Sequence, residues 1–462
     1  MRARASKTAG TRNSQSLFLS LIILSSGLVS AAVLLGVAPQ TALAVPGLGL
    51  LALAVSLFRG RLAPLYMSPV FVASFSLLMM GLLGAAFYRS VQDAPTGGSA
   101  YIVLTQWETF ATLQVILVAA GCIFVGGLAA VYSMPPIERA AVREEFYLSD
   151  QALRWLLFGC LLPLAATLVL SGPATFRRDY YIEQAVNDAG VLGIADQLSV
   201  VAVIALGFLL GRLRNGGAMW WVSAVTSFGY LVIFFGTGSR KLAMWPLLLA
   251  LGLLVDRRSK GHVLLFATCV PISFYLIRVS LYLRGLPEQG VIPYLDAMGG
   301  LQNYSAGWDS IAKNILISFG IIGATAFHVD PLGSDTFWVA VNPTPGQSAG
   351  WYDIAQDMRI NSYTPYAGVG ELANSGTGYL VGYFLVVGLV LGVLDHQVQR
   401  LLRKGLPYLG LATVGLTGLF VLYIVQYNLR SATRMLLYAM LLGFAVEIIL
   451  RLKVRVVVQH QG

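Results

Sequence analysis

Apolar runs of span length, repeated from one end to the other, constrain this chain more than any other feature. A bilayer core takes about 20 residues of α-helix. Backbone polar groups in lipid must be satisfied within the segment itself, which favours helices. Read as spans, the runs are 17–38, 42–58, 65–88, 110–133, 151–171, 191–211, 217–235, 238–255, 261–282, 372–395, 407–427 and 435–452. The expectation is an all-α, polytopic integral membrane protein with about 12 transmembrane helices. Composition agrees, since 57% of the 462 residues are hydrophobic and 11% charged, against about 25% charged in a soluble domain. A water-soluble reading is excluded.

The net charge of +10 does not point to nucleic acid here, because the basic residues sort by loop. Arg2, Arg4, Lys7, Arg12, Arg59, Arg61, Arg139, Arg143, Arg154, Arg212, Arg214, Arg257, Arg258, Lys260, Arg400, Arg403, Lys404, Arg451, Lys453 and Arg455 all fall on one side. Cytoplasmic loops collect Lys and Arg, so that side is cytoplasmic and holds both termini. The first span reads as uncleaved, since its apolar run exceeds a signal h-region and no suitable A-x-A site ends it. Between the ninth and tenth spans lies a long outer loop, 283–371, expected to carry short helices. Its apolar stretch Ile311 to Phe327 reads as an interfacial or re-entrant helix, because a crossing there would move Arg400, Arg403 and Lys404 outside. No repeat or separable soluble part interrupts 1–462, which reads as one membrane domain.

Orientation leaves Arg89, Arg177, Arg178, Arg240, Lys241, Arg278, Arg284, Lys313, Arg359, Arg430 and Arg434 on the outer side. Arg240 and Lys241 follow the turn Gly236-Thr237-Gly238-Ser239 and open a helix; Arg430, Ser431 and Arg434 open the last one. Cations at a helix N-terminus oppose its dipole at a cost of about 0.3–1 kcal/mol each. A bound anion would offset that cost, using free backbone N–H groups and the guanidinium groups together. The alternative is that these arginines snorkel to lipid headgroups. Arg278 and Arg284 flank Tyr282 at a helix C-terminus, where a cation agrees with the dipole. Arg177 and Arg178 begin a patch continued by Asp179, Tyr180 and Tyr181, which reads as a substrate loop or as a solvated ion-pair cluster.

Glu371 is the acid that stands out, in the run Pro365 to Gly378 where the long loop re-enters the membrane. A carboxylate at that depth needs a partner, either in a structural ion pair with an arginine or in chemistry. Asp309, Asp330, Asp353 and Asp357 lie in the loop and are not ranked by spacing; His328 is its only histidine. There is no P-loop, no GxGxxG between strand and helix, and no HExxH. Cys122, Cys160 and Cys269 each sit in an apolar run without a CxxC or Cys/His cluster, so neither disulfides nor a thiolate metal site is expected, and the motifs call for no cofactor. With no nucleotide outside the cell, chemistry on the outer face requires a substrate that arrives activated, and a lipid diphosphate supplies both leaving group and anion.

Two places carry a family resemblance: the Gly-Thr-Gly-Ser-Arg-Lys turn ending at Lys241, and the long loop closing with Asn342, Pro343, Pro345, Gly346, then Gly370, Glu371, Leu372 and Asn374 to Gly376. With its topology, the chain resembles the Wzy-type O-antigen polymerases, the oligosaccharide repeat-unit polymerases, over about residues 200 to 450. It departs from them at Ala373 to Gly376, where the family often has an aromatic residue after Glu-Leu. The resemblance implies a metal-independent glycosyltransferase of the bacterial inner membrane, acting at the periplasmic face on undecaprenyl-diphosphate-linked oligosaccharide. A chain-length regulator would be its protein partner, and the product would enter lipopolysaccharide, capsule or exopolysaccharide. On that reading Arg240, Arg430 and Arg434, with Ser239, Lys241 and Arg284, hold the diphosphate, and Glu371 is the base or orients the acceptor hydroxyl. Arg177, Arg178, His328, Arg359 and Asn374 are candidates for a substrate loop. The rivals are an O-antigen ligase with the same donor and a flippase or transporter for the lipid-linked oligosaccharide.

Overall fold

The computed structural model describes residues 62–64, 67–92, 103–135, 150–179, 190–213, 217–239, 241–256, 260–284, 286–303, 308–344, 346, 348–361, 364–403 and 407–459. They are mostly helical: α1 Pro69–Gln92, α2 Gln106–Ser133, α3 Asp150–Ser171, α4 Gly190–Arg212, α5 Ala218–Gly236, α6 Lys241–Asp256, α7 Lys260–Arg284, α8 Val291–Ala297, α9 Trp308–Phe327, α10 Ser334–Val341, α11 Trp351–Ile354, α12 Gly368–Ser375, α13 Thr377–Arg403, α14 Pro407–Gln426 and α15 Leu429–Gln459. A two-stranded antiparallel hairpin, β1 Arg359–Asn361 and β2 Thr364–Pro365, interrupts the long loop.

Among the described residues, six helical stretches are long and apolar enough to cross a membrane: Pro69–Tyr88, Gln106–Ser133, Asp150–Thr175, Ala218–Gly236, Thr377–Arg403 and Leu409–Gln426. Leu198–Arg212, Lys241–Leu253, Pro271–Leu283 and Leu316–Phe327 are shorter apolar helices. Large apolar side chains such as Trp155, Val169, Val225 and Val386 stay exposed on these elements, which suits lipid rather than water. The protein is an all-α, membrane-embedded chain. The expected spans 17–38 and 42–58 lie outside the described residues. One expected boundary shifts: 372–395 is not a single helix, because Gly376 takes φ 122° and separates α12 from α13.

The chain divides into two compact units. One comprises 1–138, 313–399 and 416–462; the other comprises 139–312 and 400–415. In the first, α1 packs on α2, and α12 packs on both α2 and α15. Small residues bring α2 and α13 to backbone contact, since a Cβ on Gly388 would stand 2.5 Å from Ile123 O and one on Gly392 2.4 Å from Gly127 O. At the start of α1, the buried Asp395 carboxylate of α13 accepts from the Ala63 amide at 2.8 Å and from the Ser68 hydroxyl. It caps a helix N-terminus, which accounts for an acid inside a spanning helix.

In the second unit, α4 packs against α3, α5 and α6, and α6 against α7. Gly207 and Gly252 make the α4–α6 approach possible: added Cβ atoms would lie 2.2 Å from Leu249 O and 2.1 Å from Ile204 O. Backbone cannot yield as a side-chain tip can, so Gly252→Val is expected to force the helices apart and cost about 1–3 kcal/mol. Gly159→Ala, at a helical position with open space, should be neutral. Thermal unfolding of the two detergent-solubilised variants checks this, and equal midpoints would refute the close packing.

Candidate functional site

The segment from Tyr366 to Gly376 is built for close approach. A Cβ on Gly368 would stand 3.0 Å from Leu429 Cα, and one on Gly370 would stand 2.6 Å from Thr325 Cβ and 2.7 Å from Ile322 O. The two glycines therefore let α12 press against α9 and the start of α15. The Gly368 amide donates to Tyr427 O at 2.9 Å, and the Ala367 amide to Thr325 Oγ1 at 3.3 Å.

Docked there, Glu371 is only 2% exposed, and its Oε1 accepts from the Leu429 amide at 3.2 Å. Burial pushes its pKa up to about 8, with the Leu429 amide pulling the other way. The carboxyl therefore holds its proton near neutral pH and becomes a base only as pH rises through that value. Asn428 Oδ1 accepts from the Ser431 amide at 2.9 Å, so two first-turn amides of α15 are satisfied within the protein.

Arg430 is equally buried, 2% exposed. Its Nη1 donates to Val339 O at 2.6 Å, its Nη2 donates to Thr344 O, and its guanidinium lies 5.6 Å from the centre of the Trp351 ring. Those bonds tie the start of α15 to the end of α10 and to the loop after it. Its buried Nε has no hydrogen-bond partner among the described residues. Arg434, one turn further along and half-buried, makes neither a hydrogen bond nor an ion pair among the described residues.

Asn374 acts on the next stretch of loop: its Nδ2 donates to Val329 O at 3.0 Å and its Oδ1 accepts from the Leu332 amide at 2.7 Å. His328, at the end of α9, pairs through Nε2 with Glu108 Oε1 at 2.7 Å. Glu108 also closes a capping box with Thr105 at the start of α2. Beyond His328 opens a cleft of about 650 Å³, lined among others by Asp330, Thr336, Asp357, Arg359 and Tyr366. Burial, followed by the charges of Glu371, Asp330 and Asp357, raises the Tyr366 hydroxyl above its ordinary pKa. His328 and Arg359 are the candidates from sequence that reach this cleft. Thr336 carried no signal, standing in no motif or charge pattern, and Tyr366 lay in the run singled out around Glu371 without being named from it.

The other candidates belong to the second unit. Gly238 takes φ 60°, so its turn requires glycine. Ser239 caps α6, its Oγ accepting from the Lys241 amide at 3.2 Å and its carbonyl from the Leu242 amide at 3.0 Å. Lys241 pairs with Asp196 at 2.5 Å. Arg178 is buried, donating to Ala174 O at 2.9 Å and Gly236 O at 3.0 Å, and it exchanges main-chain bonds with Gln289. Arg177 forms an exposed pair with Glu288 at 2.8 Å. Arg240 and the side chain of Arg284 lie outside the described residues.

The structure thus joins Glu371, Arg430 and Arg434 in one unit, with Asn374, His328 and Arg359 around the cleft of that unit. Ser239, Lys241, Arg177 and Arg178 fall in the other. Among the described residues, no group of three or more His, Cys, Asp or Glu side chains could hold a metal. Comparison with protein-family profiles, with curated proteins and with solved structures returns no match.

Proposed function

We propose that the protein is a metal-independent membrane glycosyltransferase that polymerises undecaprenyl-diphosphate-linked oligosaccharide repeat units at the periplasmic face of the bacterial inner membrane. It is the reaction expected of a Wzy-type polymerase. One observation carries the reading: Arg434 stands half-buried at the start of α15 with no hydrogen bond or ion pair among the described residues, one turn from Arg430 and on the helix whose first-turn Leu429 amide donates to the buried Glu371 carboxyl. A guanidinium without a partner among the described residues, on the helix that a titratable acid caps, suits a reaction in which a phosphorylated group departs and a hydroxyl loses its proton.

In that reaction the terminal hydroxyl of one repeat unit attacks the anomeric carbon of a second lipid-linked chain. A C–O bond forms, the bond to the diphosphate breaks, and the electron pair leaves with undecaprenyl diphosphate. Arg434 stabilises the charge that develops on the leaving group, and Arg240 is kept from the sequence as a separate candidate for holding a diphosphate. Ionised Glu371 takes the hydroxyl proton. The topology proposed with it has twelve spans, both termini cytoplasmic and the loop 283–371 periplasmic, with a chain-length regulator as partner.

The test is extension of purified lipid-linked repeat units by detergent-solubilised protein, with chelator and without nucleotide. Arg434→Ala and Arg240→Ala should each lower extension by about 10²–10³-fold, the range for losing a transition-state donor. Lysine at either position should recover part, since the charge returns without the bidentate geometry. Wild-type polymer from both alanine variants would overturn the assignment. Transfer of glycan to lipid A core instead of extension would replace polymerase by ligase.

A further inference from the structure

The cleft beyond His328 has no part in the diphosphate chemistry, and its lining describes a different ligand. Two carboxylates, Asp330 and Asp357, face it with a single cation, Arg359, while His328 is already paired with Glu108. A phosphate group is disfavoured by that balance. Thr336 and the Tyr366 ring complete the polar side, and aliphatic side chains including Ile354 and Leu332 supply an apolar one. Its volume of about 650 Å³ lies within the 300–1,000 Å³ typical of small-ligand sites.

The walls are held before any ligand arrives. Asn374 clamps the main chain at Val329 and Leu332 on both sides of Asp330. The Met358 carbonyl accepts from the Tyr366 amide at 3.1 Å, and the Asp357 and Met358 amides donate to Ile354 O at 3.1 Å. The β1–β2 pairing of Arg359 with Pro365 fixes the other wall. Preorganisation of this kind lowers the ordering cost of binding.

Carboxylate acceptors carried on a fixed main chain beside an apolar surface match a sugar ring, which offers hydroxyl donors at its edge and C–H groups on its faces. We infer that this cleft is a sugar-binding site, taking a hydroxyl-rich glycan unit without acidic groups. The inference rests on the polymerase reading in making that unit the end of a lipid-linked chain. Asn374, named from the sequence for a substrate loop, is then a positioning residue for the cleft.

Fluorescently labelled full-length protein in lipid nanodiscs, applied to an array of bacterial surface oligosaccharides, tests it. Retention on glycans built of neutral or amino sugars is expected, with little on uronic-acid glycans. The double variant Asp330→Ala/Asp357→Ala should lose retention by about tenfold or more, as removal of two charge-assisted acceptors predicts. Asp335→Ala, an exposed acid outside the lining, should bind as wild type. Retention of no neutral or amino glycan, or equal retention by the double variant, would overturn the site. Selective binding without extension of lipid-linked repeat units would leave the cleft standing and remove the polymerase reading. Normal extension with an unchanged KM in the double variant would do the reverse.

Discussion

Glu371→Gln is expected to lower extension of lipid-linked repeat units by roughly 10²–10⁴-fold, the usual effect of losing a general base. The substitution is nearly isosteric, and its amide oxygen can still accept from the Leu429 amide, as Oε1 does at 3.2 Å. The cap on α15 is therefore kept and the titratable group is lost. Two pH profiles separate chemistry from structure. The buried carboxyl binds its proton more tightly in the folded chain, at a pKa of about 8, than in the unfolded one. Stability from this group is thus fully present below the ordinary carboxylate range and is lost as pH rises through about 8. Activity that depends on the ionised base moves the opposite way, rising over the same range. The glutamine variant should show neither change. Near-normal extension by that variant would leave Glu371 as the cap of α15 and nothing more.

Arg430→Ala should cost about 2–5 kcal/mol of stability, since two carbonyls that it satisfies lose their donor in a partly buried place. Those carbonyls belong to Val339 and Thr344, and the Trp351 ring loses the guanidinium beside it. The loss should appear as a lower unfolding midpoint and as faster proteolytic nicking between α10 and α12. Arg430→Lys should recover little, because an ammonium cannot reproduce the planar fork that reaches both oxygens. If the alanine variant melts with the wild type yet fails to extend lipid-linked repeat units, the guanidinium serves the ligand rather than the loop.

Much of the site's significance was legible in the residues, and much of its wiring was not. Glycine and serine before Lys241 announced a turn, and the turn is there, with Gly238 in the left-handed region. Charge alone suggested that cations at two helix N-termini await an anion. The structure gives both termini protein caps: Ser239 on α6, and Asn428 with Glu371 on α15. Ser239 and Asn428 stand beside the helices they cap, whereas Glu371 is 58 positions from Leu429, and spacing reveals only the first two. Lys241 and Arg177 likewise find acids, Asp196 and Glu288, that no local pattern joins to them.

The sequence by itself determined the class of protein. Apolar runs of span length can satisfy their backbone in lipid only as helices, whatever their neighbours are. It also marked the run from Pro365 to Gly376 as unusual, because glycines around a deep acid cannot be ordinary helix content. Tertiary structure alone decided what that run does. Gly368 and Gly370 matter because the backbone of α15 and the side of α9 arrive there, and Asn374 matters because Val329 and Leu332 come within its reach. Burial of Glu371 and Arg430 follows from those meetings, since desolvation and hydrogen-bond partners belong to a place in the fold and not to a residue type.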